Sequence, residues 1–356
     1  MPTPIILITG VDPEATAAAL VALQFDLPDA VAVRHHIDVD RALLERTVSD
    51  LSGLVDRAEI ELAHTCVSCA VREDVLPTLL RLAEKGRWKS IVAHLPTGAE
   101  AAQVCAVIAE DAHLQRHLRV VGVVAAVGGP DVVDDLLGDT LLAERGRHSS
   151  VDDRRGLGEV LCSMVEYADV VVRPRGFDPV ATDLLGALAR PGAHVVEGAD
   201  QLDGRVLLAG LHDHRHTGAW TGPVLVDPLP PARSPHVWRL DLCSGLAFHP
   251  DRLLQDLGRL GGGRHRSRGC FWLPTRPGRV LEWAGAGGQL SVGTGAGWGR
   301  RTPLTRLVLT GVGAQPAHLT DAFADLLIRP SDRPADEWRV PEDGFEPWLG
   351  PIREAA

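Results

Sequence analysis

Ile5-Ile6-Leu7-Ile8-Thr9-Gly10-Val11-Asp12-Pro13-Glu14-Ala15-Thr16-Ala17 is the stretch that sets the architecture. Four consecutive aliphatic residues closed by Thr9-Gly10 suit a strand buried on both faces, the kind found inside parallel sheets. Pro13 then fits a first helical turn, where its missing N–H costs nothing, and Ala15 to Leu23 continues as a helix. The alternation recurs. Ala30–Val33, Glu59–Leu62, Ser90–Leu95, Arg119–Val127, Asp169–Val172 and His194–Glu197 read as strands. Asp74–Lys85, Glu100–Ala112, Leu157–Tyr167 and Ala181–Leu188 read as helices. Such alternation predicts βαβ units: an α/β fold whose mostly parallel sheet carries helices on both faces. Ligands of these sheets bind at the carboxyl ends of strands, which selects residues 10–16, 64–69, 94–98 and 173–178.

At 356 residues the chain is too long for one ordinary core. Composition shifts after residue 198, where His212-Asp213-His214-Arg215-His216 is followed by Pro223, Pro228, Pro230, Pro231 and Pro235. Residues 199–235 therefore read as a His/Pro-rich linker. Beyond it, Val237–Leu242, Gly269–Leu273, Val280–Ala284, Gln289–Val292 and Arg306–Leu309 read as strands, and Asp251–Leu260 and Leu319–Leu327 as helices. That gives three further parts: the 1–198 domain before the linker, an α+β domain over 236–330, and an acidic, Trp-containing tail over 331–356 (Trp338, Trp348) expected to pack loosely or to be mobile.

Mean hydropathy of +0.03 and the lack of a long apolar run argue against a membrane protein. The start of the chain shows neither a basic n-region nor an A-x-A site, which points to the cytoplasm. A net charge of −11 argues against DNA binding, yet residues 251–310 carry ten arginines against Asp251, Asp256 and Glu282, a local net of +7. A solvated basic face and a ribosome contact both remain open for that region. Six cysteines, only two of them close together, do not form a disulfide framework. Cys105, Cys162, Cys243 and Cys270 read as small buried hydrophobes.

The close pair lies in His64-Thr65-Cys66-Val67-Ser68-Cys69-Ala70-Val71-Arg72-Glu73-Asp74, where a strand hands over to a helix. Thiolates suit Zn²⁺ in a tetrahedral site. His64 offers a third ligand beside Cys66 and Cys69, and His35 or His36 on a neighbouring strand a fourth. Two reduced thiols inherited from a metal-binding ancestor explain the pair equally well. His212, His214 and His216 recur at period two, so in an extended segment they project to one side, where two could share an ion and all three only if the loop curls. His94, at a strand end facing residues 10–16, reads as hydrogen-bonded within a cleft. His249, Trp272 and Trp283 read as structural. No G-x-S-x-G or H-E-x-x-H occurs.

The order of parts resembles the CobW-type P-loop GTPases linked to cobalt and zinc handling. Thr65 to Asp74 is similar to the family's G-C-x-C-C-T-L-R-E-D, with Ser68 in place of the middle thiol. Phe248-His249-Pro250-Asp251-Arg252-Leu253, Gly269-Cys270-Phe271-Trp272-Leu273, Glu282-Trp283 and Gly287-Gly288-Gln289-Leu290-Ser291 fall in the family's order. The resemblance implies a P-loop NTPase-like domain, a nucleotide site and zinc as the metal.

The departures decide what survives of that function. A P-loop needs G-x-x-x-x-G-K-[ST]; here Ala15 replaces the second glycine and Thr16 the lysine. Asp12 and Glu14 would repel a triphosphate. The only lysines are Lys85 and Lys89. The family's E-x-x-G becomes Leu95-Pro96-Thr97-Gly98, without a carboxylate, and its N-K-x-D becomes Arg173-Pro174-Arg175-Gly176-Phe177-Asp178. Gly10, Thr16, Gly98 and Asp178 are what remains of a degenerate nucleotide site, with GTP bound weakly or not at all and no catalytic residue. The expectation is a CobW-like pseudoenzyme of zinc homeostasis that binds metal through Cys66 and Cys69 and serves a zinc-dependent client. The alternatives are a pseudo-GTPase adaptor meeting the ribosome under zinc limitation, and an active GTP-binding metallochaperone with an atypical loop.

Overall fold

In the computed structural model, which describes residues 1–352 apart from 177, 226–228, 231, 233, 333 and 334, strand β1 (Thr3–Thr9) lies inside an eight-stranded sheet. Its aliphatic residues Ile5 to Ile8 are fully buried, as a strand covered on both faces requires. Counting along the chain, the other strands are β2 (Ala30–Asp38), β3 (Leu43–Asp50), β4 (Gly53–Glu61), β5 (Ser90–His94), β6 (Leu118–Ala126), β7 (Val170–Arg173) and β8 (His194–Glu197). Their order across the sheet is β4-β3-β2-β5-β1-β6-β7-β8. β2, β5, β1, β6, β7 and β8 run parallel, while β3 and β4 form an antiparallel hairpin at one edge.

The mostly parallel sheet was expected; the hairpin was not. The strand expected at Glu59–Leu62 is the end of β4, and β3 escaped notice altogether. Along β3 the inward residues are Leu44, Arg46, Val48 and Asp50, so two of four buried positions are charged and the apolar alternation is broken.

One face of this sheet packs Ile5, Leu7, Val31, Val33, Ile91 and Ala93 against the helices spanning 67–85 and Ala101–Glu110. The other packs Ile6, Ile8, Ala30, Ala32 and Val92 against helices Pro13–Asp26 and Gly204–Gly210. The helix expected to start at Asp74 begins seven residues earlier, at Val67, and widens into a π-helical turn over Val71–Val75 before resuming at Leu76–Lys85. Pro77 explains the widening: it has no N–H for the Glu73 carbonyl four residues back, and its ring would collide with that carbonyl.

The chain divides into two compact units, one of residues 1–135 with 140–221, the other of 136–139 with 222–356. The expected linker 199–235 is thus structured as far as residue 221, with helices Gly204–Gly210 and His214–Thr221. Pro228 and Pro231 lie outside the described residues. The second unit is a five-stranded antiparallel sheet, order β12-β11-β10-β13-β9, made of β9 (Val237–Ser244), β10 (His265–Phe271), β11 (Arg279–Ala286), β12 (Gln289–Gly297) and β13 (Thr305–Val312). Helices Pro250–Asp256 and His318–Leu326 accompany it. Phe248, Phe271, Trp283 and Phe323 form its aromatic core.

The described part of the tail does not pack loosely. Phe345 is 1% exposed within that core, and buried Arg276 bonds both Asp343 oxygens at 2.9 Å and the Gly350 carbonyl at 2.8 Å. Cys105, Cys162 and Cys270 are buried as expected; Cys243 is exposed.

Candidate functional site

At the carboxyl end of β1, only Gly10, Val11 and Asp12 separate the strand from the helix beginning at Pro13. A G-x-x-x-x-G-K loop needs its glycine-rich turn free to wrap phosphate with backbone N–H groups. Here the residues of that turn from Pro13 onward are already helical. Asp12 caps the helix, its Oδ1 accepting from Ala15 N–H at 2.8 Å, so a carboxylate occupies the helix N-terminus. Thr16 stands where the lysine would be, is 4% exposed, and turns its hydroxyl back onto the Asp12 and Pro13 carbonyls at 3.0 and 3.2 Å. A Cβ on Gly10 would lie 2.5 Å from the Ala126 carbonyl oxygen, so glycine is required there by crowding. Gly98 donates its N–H to the Gly10 carbonyl at 3.3 Å, while its own carbonyl accepts from Arg155 Nη1 at 3.0 Å. Asp153 holds Arg155 through bonds of 2.9 and 2.8 Å. Burial works against the Asp153 charge, but these bonds outweigh it and hold its pKa far below the usual carboxylate range. The structure thus brings Gly10, Thr16 and Gly98 together as one packed corner.

Asp178 is not part of it. It caps helix Pro179–Leu188, accepting from Val180 N–H at 2.9 Å, and its neighbour Phe177 lies outside the described residues. Arg173 pairs with Glu197 at 3.3 Å and Arg175 with Asp200 at 2.5 Å, tying that loop to the end of β8 and the turn after it.

Around the thiols the geometry is more open. Cys66 is the N-cap of the helix, its Sγ accepting from Cys69 N–H at 3.4 Å, so both sulfurs sit on one turn. Arg72 Nη2 approaches Cys69 Sγ at 3.6 Å. The hydrogen bond with Cys66, burial and the neighbouring Cys66 and Glu73 charges push the Cys69 thiol up, against the pull of Arg72. Glu73 accepts from Ala63 N–H at 3.2 Å and from Arg72 at 2.8 Å. The hydrogen bonds from Arg72 and the Ala63 N–H, with the charges of Arg72 and His64, outweigh burial and hold Glu73 below its ordinary pKa. Sequence reasoning passed over Glu73 as a donor, although it stands within the Arg72-Glu73-Asp74 run that carried the family resemblance. Among the described residues no three His, Cys, Asp or Glu side chains are already arranged to hold a metal.

The other proposed histidine ligands are placed elsewhere. His35 is fully buried and bonds Asp74 Oδ2 at 3.0 Å through Nε2; Asp74 Oδ1 also accepts from Arg46 at 2.5 Å. His36 points to the opposite face of β2 and is exposed. The period-two segment is not extended: Asp213 caps helix His214–Thr221 by accepting from Arg215 and His216 N–H groups at 2.9 and 3.0 Å. His212 Nδ1 bonds the buried Asp169 at 3.1 Å, and His214 Nδ1 meets the Tyr167 hydroxyl at 2.8 Å. His216 is exposed. These contacts tie His214 to the end of helix Leu157–Tyr167 and His212, just before its own helix, to the residue that precedes β7.

The Arg-rich region is also different from a solvated face. Arg266, Arg268, Arg276 and Arg306 are buried, Arg252 pairs with Asp332 at 2.7 Å and Arg259 with Asp325 at 3.1 Å. Arg306, for example, bonds Asp241 at 2.5 and 2.7 Å. Much of the local positive charge is spent on holding the second unit together. No described helix is long and apolar enough to cross a membrane.

Residues 238–327 match the family described as the cobalamin synthesis protein cobW C-terminal domain. Over 316 residues the chain is 30% identical to a Mycobacterium tuberculosis protein named zinc chaperone Rv0106, covering 84% of this chain and 74% of that one. An uncharacterized Mycobacterium bovis protein, Mb0109, matches equally well. The crystal structure of Zn(II)-bound YjiA GTPase from E. coli aligns over 92% of this chain and 99% of its own, at 18% identity and a TM-score of 0.37, a likeness too slight to argue from. The extent of the mycobacterial match, with the C-terminal domain, makes this chain a member of the CobW-type GTPase and zinc-chaperone family.

Proposed function

We propose that this protein handles zinc through the Cys66–Cys69 turn and does so without efficient GTP hydrolysis. The observation that carries the first half is the placement of both sulfurs on one helical turn, with His64 two residues before Cys66 in the chain and the Glu73 charge acting on Cys69. Two thiolates, an imidazole and a carboxylate satisfy the tetrahedral preference of Zn²⁺. Binding would deprotonate the thiols and displace Arg72 from Cys69, so a positive side chain gives way to a positive ion. An incomplete ligand set that must close around the metal suits a protein that releases it again to a zinc-dependent client.

The second half rests on the three-residue connection from β1 to its helix. Phosphoryl transfer is catalysed by positioning and charge neutralisation. At this corner the lysine position is Thr16, the helix end carries Asp12, and Arg155 covers Gly98. The family's nucleotide switch is on this reading lost, leaving a passive metal site or sensor.

Metal analysis of the purified protein beside a Cys66→Ser/Cys69→Ser variant tests the zinc site. We expect close to one Zn²⁺ per chain in the parent. Equal zinc in parent and variant refutes the assignment to these thiols. A phosphate-release trace with GTP and Mg²⁺ at high enzyme concentration is expected to stay flat, and sustained turnover would overturn the loss of GTPase activity.

A further inference from the structure

His94 is the last residue of β5, and it has no role in the sites above. It is 4% exposed, and neither ring nitrogen has a hydrogen-bond partner among the described residues. Buried imidazoles are ordinarily paired, because an unmet donor and acceptor lose their water without compensation. The cleft hydrogen bond expected from sequence is therefore missing, and the orphaned nitrogens call for a partner.

The neighbouring strand shows of what kind. Arg34 stands directly opposite His94 in the β2–β5 register. Ala32 and Val92, two residues earlier, both face the core beneath helix Pro13–Asp26, so alternation puts Arg34 and His94 on that same face. Arg34 is exposed and makes no ion pair among the described residues. Burial and then Arg34, with His35 and His36 adding to it, pull the His94 pKa down to about 4. A neutral imidazole can still donate from one nitrogen, and beside a free guanidinium it favours a negative ligand over a metal ion.

We propose that Arg34 and His94 form a site for a small oxyanion where the carboxyl end of β5 meets the middle of β2. Arg34 supplies the charge and the solvent-facing side, and His94 the buried donor. The Gly10–Thr16 corner is not part of the site, since Asp12 and Thr16 are occupied with their own helix. The oxyanion could be a phosphate or a carboxylate, and both chemistries can be tested separately.

The test uses metal-stripped, full-length protein with ¹⁵N-labelled histidine, titrated with inorganic phosphate or with acetate and followed by imidazole NMR. The His94 signals are assigned by their disappearance in a His94→Leu variant. A saturable shift of those signals, weakened at least about tenfold in Arg34→Ala, is expected. Saturation by phosphate alone assigns a phosphate-bearing ligand, and saturation by acetate alone a carboxylate. Arg34 is on the surface, so its loss leaves the fold intact. No His94 shift with either anion, or a shift indifferent to Arg34→Ala, overturns the proposal. Repeating the titration on the Cys66→Ser/Cys69→Ser protein keeps the outcome separate from the zinc assignment.

Discussion

Replacing Asp74 by Asn should loosen the first unit more than any change at the thiols. Asp74 is 6% exposed and receives His35 Nε2 at 3.0 Å and Arg46 Nη1 at 2.5 Å, fastening the π-helical turn after Cys69 to β2 and β3. Removing one partner of a buried pair costs about 3–5 kcal/mol, because the opposite charge stays buried without compensation. Arg46 keeps a second partner, Asp56, at 3.0 Å. The lower end, about 3 kcal/mol, is therefore expected, a large share of the roughly 5–15 kcal/mol that holds a domain folded. The buried thiols Cys105 and Cys162 both lie in this unit, so their labelling rate in increasing urea reports its opening without interference from the second unit. The pH dependence supplies a second check. Burial alone would raise the Asp74 pKa, but the hydrogen bond and charge of His35 and the charge of Arg46 outweigh it and hold the pKa below its ordinary value. A carboxylate depressed in the fold contributes its stability in full above the unfolded pKa, about 3.9, and loses it as pH falls through the folded value. The gap between parent and Asp74→Asn should thus be widest at neutral pH and close in acid. A penalty under about 1 kcal/mol at pH 7 would refute the view that this carboxylate anchors the turn.

Three further outcomes are expected. Thr16→Lys restores the missing letter but not the loop, so phosphate release from GTP should stay flat; turnover would show that the early helix start is no obstacle. Asp12→Ala should cost about 1 kcal/mol through loss of the cap and Asp12→Asn almost nothing, measured as shifts in the urea midpoint of the first unit. Asp343→Ala deprives buried Arg276 of its two carboxylate bonds, so limited proteolysis should cleave near residue 343 far faster than in the parent, and equal rates would contradict the anchoring.

What could be read in advance divides along physical lines. The parallel strands were legible because a strand covered on both faces is apolar along its length, as in Ile5–Ile8 and Ile91–Ala93. β3 was not, because its inward Arg46 and Asp50 answer partners distant in sequence: Asp74 for the first, Arg87 and Trp88 for the second. No local pattern announces such a pairing. The histidines at 212–216 misled for a different reason. Period two looks like a strand, yet Asp213 two and three residues before Arg215 and His216 is a helix-capping signal, and the cap prevailed. The tail misled because its charges hid Phe345, whose burial depends on Arg276 holding Asp343.

The corner after β1 is the case where letters and geometry meet. Loss of the lysine was visible at Thr16 by inspection. Less obvious was that Asp12-Pro13-Glu14 is itself a complete helix-start signal: a capping carboxylate, a proline at the first position and an acid in the first turn. The residues that would repel a phosphate are the same ones that begin the helix early. On the proposed reading, the corner did not merely lose a catalytic side chain. Its anion cradle was replaced by an internal anion, Asp12, which satisfies the helix end that phosphate would otherwise satisfy. Restoring nucleotide binding would therefore require removing the cap, not only adding the lysine, and the two single variants Thr16→Lys and Asp12→Ala should each fail where a rebuilt glycine loop could succeed.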